Sequence, residues 1–196
     1  MDADAQLMER VRDGDTASFD LLMNRYRRPV VNFVYRMVRD AAAAEEIAQD
    51  VFVQIYLARK RYTASARFST WLFKVATNTT LKHIRKQRRV VRESELATET
   101  RERFLDLLTA GENDGAHEAL ERKELGLLVQ QALVALPDKE KVALTLRKYE
   151  GCSYQEIADI MTCSVAAIKT HIHRGKLRLR ETLLRAERRL DPTATD

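Results

Sequence analysis

AEEIAQDVFVQIYLARKRYTASARFSTWLFKVATNTTLKHIRKQRR, residues 44–89, decides how this chain is read. Its first part places Ile47, Val51 and Ile55 at i, i+4 and i+8, the inward stripe of an amphipathic helix. Glu46, Gln49, Asp50 and Val53 turn partly elsewhere and give that helix an exposed acidic and amide face, which is either a docking surface for a basic partner or an ordinary wet face. A Ser-, Thr- and Ala-containing loop over 60–68 follows. Ser69 is the expected cap of the next helix, whose inner side begins with Trp71, Leu72, Val75 and Ala76. Aromatics and cations interleave across this stretch: Tyr56, Lys60, Arg61, Tyr62, Arg67, Phe68, Trp71, Phe73 and Lys74. A cation holds a phosphate and an aromatic face stacks on a base, so the combination suits unpaired nucleic acid. Trp71 fits either the core or a base-stacking surface. Asn78 fits a base edge, a phosphate or the local backbone.

The composition agrees with such a partner. Of 196 residues 32% are charged and 7% aromatic, with Gly and Pro scarce, which marks a helical chain without a strand signature. The net charge of +5 is unevenly spread. Lys82, Arg85, Lys86, Arg88, Arg89 and Arg92 form one block without an acid, and Lys169, Arg174, Lys176, Arg178 and Arg180 form another. Two blocks imply two contacts with a polyanion. No apolar run approaches the ~18 residues of a membrane span and no signal peptide opens the chain, so a cytoplasmic protein without lipid insertion is expected. Cys152 and Cys163 are not spaced as a metal or redox pair. His171 and His173 point to different helix faces. No metal site, cofactor loop or nucleophile–base spacing stands out, and neither catalysis nor a cofactor is expected.

Working outward toward the N-terminus, a short helix is expected over Ala5 to Arg12, stopped by Asp13-Gly14-Asp15. A second, capped by Asp15 or Thr16, carries Phe19, Leu22, Tyr26, Val30, Phe33, Val34 and Met37 at helical spacing. Pro29 should kink or break it. Asp40 caps the third. Toward the C-terminus, residues 93–118 change character and read as a linker around Phe104, Leu105, Leu107 and Leu108. A helix is expected from about Ala116 to Ala135, broken at Leu136-Pro137. Pro137 opens the next helix, which stops at Gly151.

The final third has a second signature. Ser153 and Glu156 are spaced as a capping box. A short helix, Tyr154 to Met161, precedes the turn Thr162-Cys163-Ser164, and a longer helix begins near Val165. Ile157, Ala158, Met161, Cys163 and Ile168 sit where a helix-turn-helix packs its two helices together. The second helix offers Lys169, Thr170, His171, His173, Arg174 and Lys176, mostly away from Ile168 and Ile172, as a helix entering the major groove would.

On these residues the chain resembles a bacterial RNA polymerase sigma factor of the extracytoplasmic-function group, over about residues 5–185. AEEIAQDVFVQIY (44–56) resembles region 2.2, RYTASARFSTWLFKVATN (61–78) the segment that melts and reads the −10 element, and 136–183 region 4, which reads the −35 element. The resemblance implies an all-α protein of two small helical domains: region 2 at 1–92 and region 4 with its helix-turn-helix at 119–190, joined by a flexible linker at 93–118. It implies core RNA polymerase docking through Glu46, Gln49, Asp50 and Val53. It implies −10 recognition and melting through Tyr62, Thr63, Ser65, Arg67, Phe68, Ser69, Trp71, Lys74 and Asn78, with loop 62–68 as the pocket for a flipped base. It implies −35 contacts from Lys169, Thr170, His171, His173, Arg174 and Lys176. Core polymerase and promoter DNA are the implied partners of a protein that is monomeric when free. An anti-sigma factor, in some cases membrane-anchored, is implied as its regulator. Lys82 departs from an acid common in N-x-x-x-D-x-x-R; Ala166-Ala167 and His171 depart from a common Gly-Thr and Arg.

Three other readings stand beside this one, and the missing acidic metal cluster argues against one of them, an enzyme acting on nucleic acid. A self-sufficient regulator would bind an operator without polymerase. A helical RNA-binding protein would show no promoter preference.

Overall fold

The computed structural model describes residues 2–95, 129, 132–133 and 135–190. Most of the expected 93–118 linker, its apolar cluster, most of the helix expected over 116–135 and the tail beyond Leu190 lie outside them. Among the described residues every regular element is helical. In chain order these are α1 (Ala3–Arg12), α2 (Thr16–Val38), α3 (Ala41–Ala58), a 3-10 turn (Arg59–Arg61), α4 (Phe68–Glu95), α5 (Asp138–Lys148), α6 (Tyr154–Met161) and α7 (Val165–Leu190).

Side-chain caps set the starts of the first three helices. The Asp15 carboxylate accepts the Ser18 N–H at 3.2 Å and the Ser18 hydroxyl at 2.7 Å, and Asp40 accepts the Ala43 N–H at 3.0 Å. Such a cap satisfies an amide that has no partner inside its own helix. The buried stripe of α2, with Leu22, Val30, Phe33 and Val34, packs on Ile47, Val51 and Ile55 of α3 and on Leu72, Phe73 and Ala76 of α4. Phe33 and Phe73 meet edge to face, ring centres 5.5 Å apart. α1 lays Ala5, Met8 and Val11 against this bundle.

Pro29 does not break α2, which runs unbroken from Thr16 to Val38. A proline inside a helix costs about 3 kcal/mol. Here buried residues on both sides of it, Leu22 before and Val30, Phe33 and Val34 after, hold the helix to a single core and offset that cost.

In the C-terminal part, Val142, Ala143 and Leu146 of α5 share a core with Ile157 and Ile160 of α6 and Ile168 and Ile172 of α7. The capping box is formed in both directions: Ser153 Oγ accepts the Glu156 N–H (3.2 Å), and Glu156 accepts the Ser153 N–H (2.7 Å). α6 ends on Thr162 in the left-handed region, φ +53°, where a glycine would be unstrained. Gly175 lets α7 approach α5. A Cβ there would lie 2.6 Å from Leu144 Cδ1. The helix expected to stop at Gly151 ends earlier, at Lys148, with Tyr149 as its C-cap.

The two parts touch. α4 packs on α6 and α2 on α5. Arg88 grips Asp138, Arg36 lies 4.0 Å from Glu150 and 4.0 Å from the Tyr149 ring centre, and Arg67 reaches Glu156 at 3.5 Å.

Candidate nucleic-acid interfaces and docking groove

The loop between the 3-10 turn and α4 has an aromatic floor and a polar lip. Tyr62 is only 3% exposed. Its ring centre lies 5.0 Å from that of Trp71 and 6.3 Å from that of Phe68, and Tyr26 of α2 meets Phe68 at 5.4 Å. Edge-to-face packing of this kind fixes ring positions and adds to the burial term. Thr63, Ala64, Ser65, Ala66 and Arg67 are exposed above it, and the Ser65 N–H donates to the Thr63 carbonyl at 2.8 Å, which tightens the turn.

The nine residues expected at this surface therefore divide by position. Thr63, Ser65 and Arg67 are on the lip. Ser69, Trp71 and Lys74 are half-buried, and Asn78 is exposed. Trp71, Lys74 and Asn78, at i, i+3 and i+7, lie on one stripe of α4 that continues from the loop. Tyr62 and Phe68 lie inside the domain and build the floor. Burial pushes the Tyr62 phenol up to about 12, with the Asp2 and Glu9 carboxylates adding to it. Among the described residues its buried hydroxyl has no hydrogen-bond partner. The alternation of aromatics and cations along the chain does not separate floor from lip; that needs the third dimension.

Ser69 is not the cap of α4. The helix begins at Phe68, and the Phe68 N–H donates to the Asp2 carboxylate at 2.9 Å. A cap 66 residues away leaves no local signal; Asp2 also caps its own helix, α1.

The second interface is α7. Ser164 Oγ accepts the Ala167 N–H at 3.2 Å at its start, and Ile168 and Ile172 are buried. Lys169, Thr170, His173, Arg174 and Lys176 are exposed and His171 is half-buried, so the stripe facing away from the core is polar and cationic. The Thr170 hydroxyl donates to the Ala166 carbonyl, which holds its rotamer. No group of His, Cys, Asp and Glu among the described residues is arranged to hold a metal. Cys152 is half-buried, and burial pushes its thiol up to about 12, away from the reactive thiolate.

The third feature is an apolar groove of about 570 Å³ between α2 and α3. Phe19, Met23, Phe52 and Tyr56 line it, and Val53 and Leu57, 55% and 71% exposed, stand at its edge. Gln49 and the Arg27–Glu45 ion pair (3.4 Å) form its polar rim. Glu46, Gln49, Asp50 and Val53 are all exposed on α3, and of these Gln49 and Val53 line the groove. Leu57 was not singled out from sequence, because a leucine at helical spacing reads as core.

Among the described residues, no helix is long and apolar enough to cross a membrane. Two family descriptions match the chain: Sigma-70 region 2 over residues 22–90 and Sigma-70, region 4, over residues 126–179. The RNA polymerase sigma-H factor of Pseudomonas aeruginosa is 34% identical over 173 residues, which is 88% of this chain and 90% of that protein. The ECF RNA polymerase sigma factor SigW of Bacillus subtilis is 32% identical over 178 residues, 90% of this chain and 94% of that protein. Two solved structures share the fold. CnrH in complex with the cytosolic domain of CnrY has a TM-score of 0.67 at 21% identity, over 94% of this chain and 99% of that one. The sigma factor RpoE from Bartonella quintana, in complex with the anti-sigma factor NepR, has a TM-score of 0.65 at 21% identity, over 84% and 96%.

Proposed function

The chain belongs to the sigma-70 family of bacterial RNA polymerase sigma factors, in its extracytoplasmic-function group, and from that premise we propose that it is a promoter-specificity subunit. It binds core RNA polymerase, recognises the −10 and −35 elements and helps open the DNA. The observation that carries this reading is the pairing, on one chain, of a helix-turn-helix whose outer face is cationic with a separate aromatic-floored loop that continues into the Trp71, Lys74 and Asn78 stripe. The first suits duplex DNA and the second suits an unpaired strand.

In this reading Lys169, Thr170, His171, His173, Arg174 and Lys176 face the −35 duplex. Thr63, Ser65 and Arg67 meet the opened −10 strand together with Trp71, Lys74 and Asn78. Tyr62, Phe68 and Ser69 support them from beneath and beside the lip. Unstacking a base costs a few kcal/mol, and contacts in a pocket offset it. The protein carries out no covalent step; opening is driven by binding. Glu46, Gln49, Asp50 and Val53, with the groove beside them, form the polymerase-docking surface.

Held on polymerase, each DNA-reading part raises the local concentration of the other's target. In the free chain the parts are packed together and Arg67, on the −10 lip, is engaged by Glu156 of the helix-turn-helix. Free protein therefore binds promoter DNA weakly. We also propose control by an anti-sigma factor, supported by the fold shared with RpoE, which is seen bound to one.

Run-off transcription with purified core polymerase on a pool of promoter fragments tests the proposal. Specific initiation only when this protein is added supports it. Sequence-specific DNA binding by the protein alone, without initiation, supports a self-sufficient regulator instead.

A further inference from the structure

α1 spans both stems of the loop that carries the −10 lip. It contacts the 3-10 turn Arg59–Arg61 on the entering side and the start of α4 on the leaving side. Its first residues make the tie. One oxygen of the Asp2 carboxylate accepts the Asp4 N–H at 3.3 Å and so starts α1; the other accepts the Phe68 N–H at 2.9 Å and so starts α4. Two helices 66 residues apart share a single capping side chain.

The tie is anchored at its other end. Asp4 is almost fully buried; its carboxylate accepts the Tyr26 hydroxyl at 2.6 Å and pairs with Arg25, both on α2. Tyr26 in turn packs edge-on against Phe68. Ala5, Met8 and Val11 bury the body of α1 in the domain core. The segment ahead of the loop is thus fastened to α2, and through Asp2 it fastens the first residue of α4.

The first turn of α4 contains no acidic residue of its own. The amides at a helix start carry partial positive charge and lack intrahelical acceptors. Asp2 supplies the anion and the acceptor that the local sequence omits. Phe68 sits at the junction: its amide is held by Asp2, its ring by Tyr26 and Tyr62, and Arg67 and the exposed lip lie directly before it.

Resting on the function proposed above, we propose that Asp2 is a positioning residue for promoter opening, holding the end of loop 62–67 so that its exposed residues face the strand being unpaired. It acts on the loop and not on the α2–α3 groove, which lies among other residues. Opening therefore depends on Asp2, whereas polymerase docking does not.

The test uses full-length protein, purified core polymerase and a duplex promoter selected by the wild type. Affinity for core polymerase is measured beside the rate of opening, followed by a fluorescent base in the −10 element. For Asp2→Ala, opening is expected to slow about three- to ten-fold, the effect of losing one cap. Core affinity should stay within two-fold. Asp2→Asn, which keeps an acceptor oxygen, should fall between the two. Opening by Asp2→Ala at the wild-type rate overturns the proposal. So does a loss of core affinity parallel to the loss of opening, because that is the mark of general unfolding. If the wild type itself drives no initiation, the sigma reading falls first and the role of Asp2 falls with it.

Discussion

Arg88 near the end of the first basic block and Asp138 at the start of α5 form a two-pronged ion pair, with both N–O distances 2.9 Å. It joins α4 of the N-terminal part to α5 of the C-terminal part. Arg36–Glu150 and Arg67–Glu156 have the same polarity: among the described residues these three ion pairs each place the arginine on the N-terminal side and the carboxylate on the C-terminal side.

That polarity allows the contact to be tested by charge. A partly exposed pair contributes only ~0–1 kcal/mol, but like charges in its place repel. Asp138→Arg should separate the two parts, seen as a longer distance between dyes placed on α3 and α7. It should also raise the affinity of free protein for −35 duplex. Combining it with Arg88→Asp should restore the packed distance. An unchanged distance in Asp138→Arg means that apolar packing alone holds the contact.

Glu150 makes the same contact pH-dependent. Burial raises its pKa, and Arg36 pulls it partly back. A carboxyl whose folded pKa lies above its unfolded value contributes stability at low pH and loses it as pH rises from the usual carboxylate range through the raised value. Glu150→Gln removes that loss. Its melting temperature at neutral pH should equal or exceed that of the wild type, and the difference should shrink as pH falls toward about 4. A Gln variant that is less stable at neutral pH would show that the attraction to Arg36 outweighs burial.

Tyr62 separates floor from lip by a single oxygen. Its buried hydroxyl has no hydrogen-bond partner among the described residues, and an unsatisfied buried polar group costs about 1–3 kcal/mol. Tyr62→Phe should therefore be neutral or stabilising in thermal denaturation and should leave promoter opening unchanged. Tyr62→Ala should lose about 3–5 kcal/mol of stability and the opening activity with it. Loss of opening in the Phe variant, with the fold intact, would assign the hydroxyl to DNA.

Arg174 is exposed on α7 away from Ile168 and Ile172. Arg174→Ala should cost about 1–3 kcal/mol of −35 affinity. Against a library of −35 sequences, relaxed preference at one position marks a base contact, and uniform weakening marks a phosphate contact. Wild-type transcription from its own promoter by this variant contradicts the role given to the helix.

Several of these relationships are legible in the sequence alone. The periodic stripes in α2 and α3, the caps Asp15 and Asp40, and the box of Ser153 with Glu156 depend on residues within a turn or two of each other. So does the turn at Thr162, and the helix-turn-helix followed from them. Where local rules failed, a distant group had intervened. Pro29 did not break α2 because buried residues on both sides of it hold the helix to one core. Ser69 did not cap α4 because a carboxylate 66 residues earlier takes the Phe68 amide.

The sequence by itself determined the helices, the two nucleic-acid-binding signatures and the family, because those rest on spacing and on the chemistry of side chains close along the chain. Only the tertiary structure decided which aromatics are floor and which residues are lip, which exposed apolar groups border a groove, and which carboxylate faces which arginine across the two parts. Burial and charge pairing depend on what arrives from elsewhere in the chain, and spacing along one helix carries no record of that arrival.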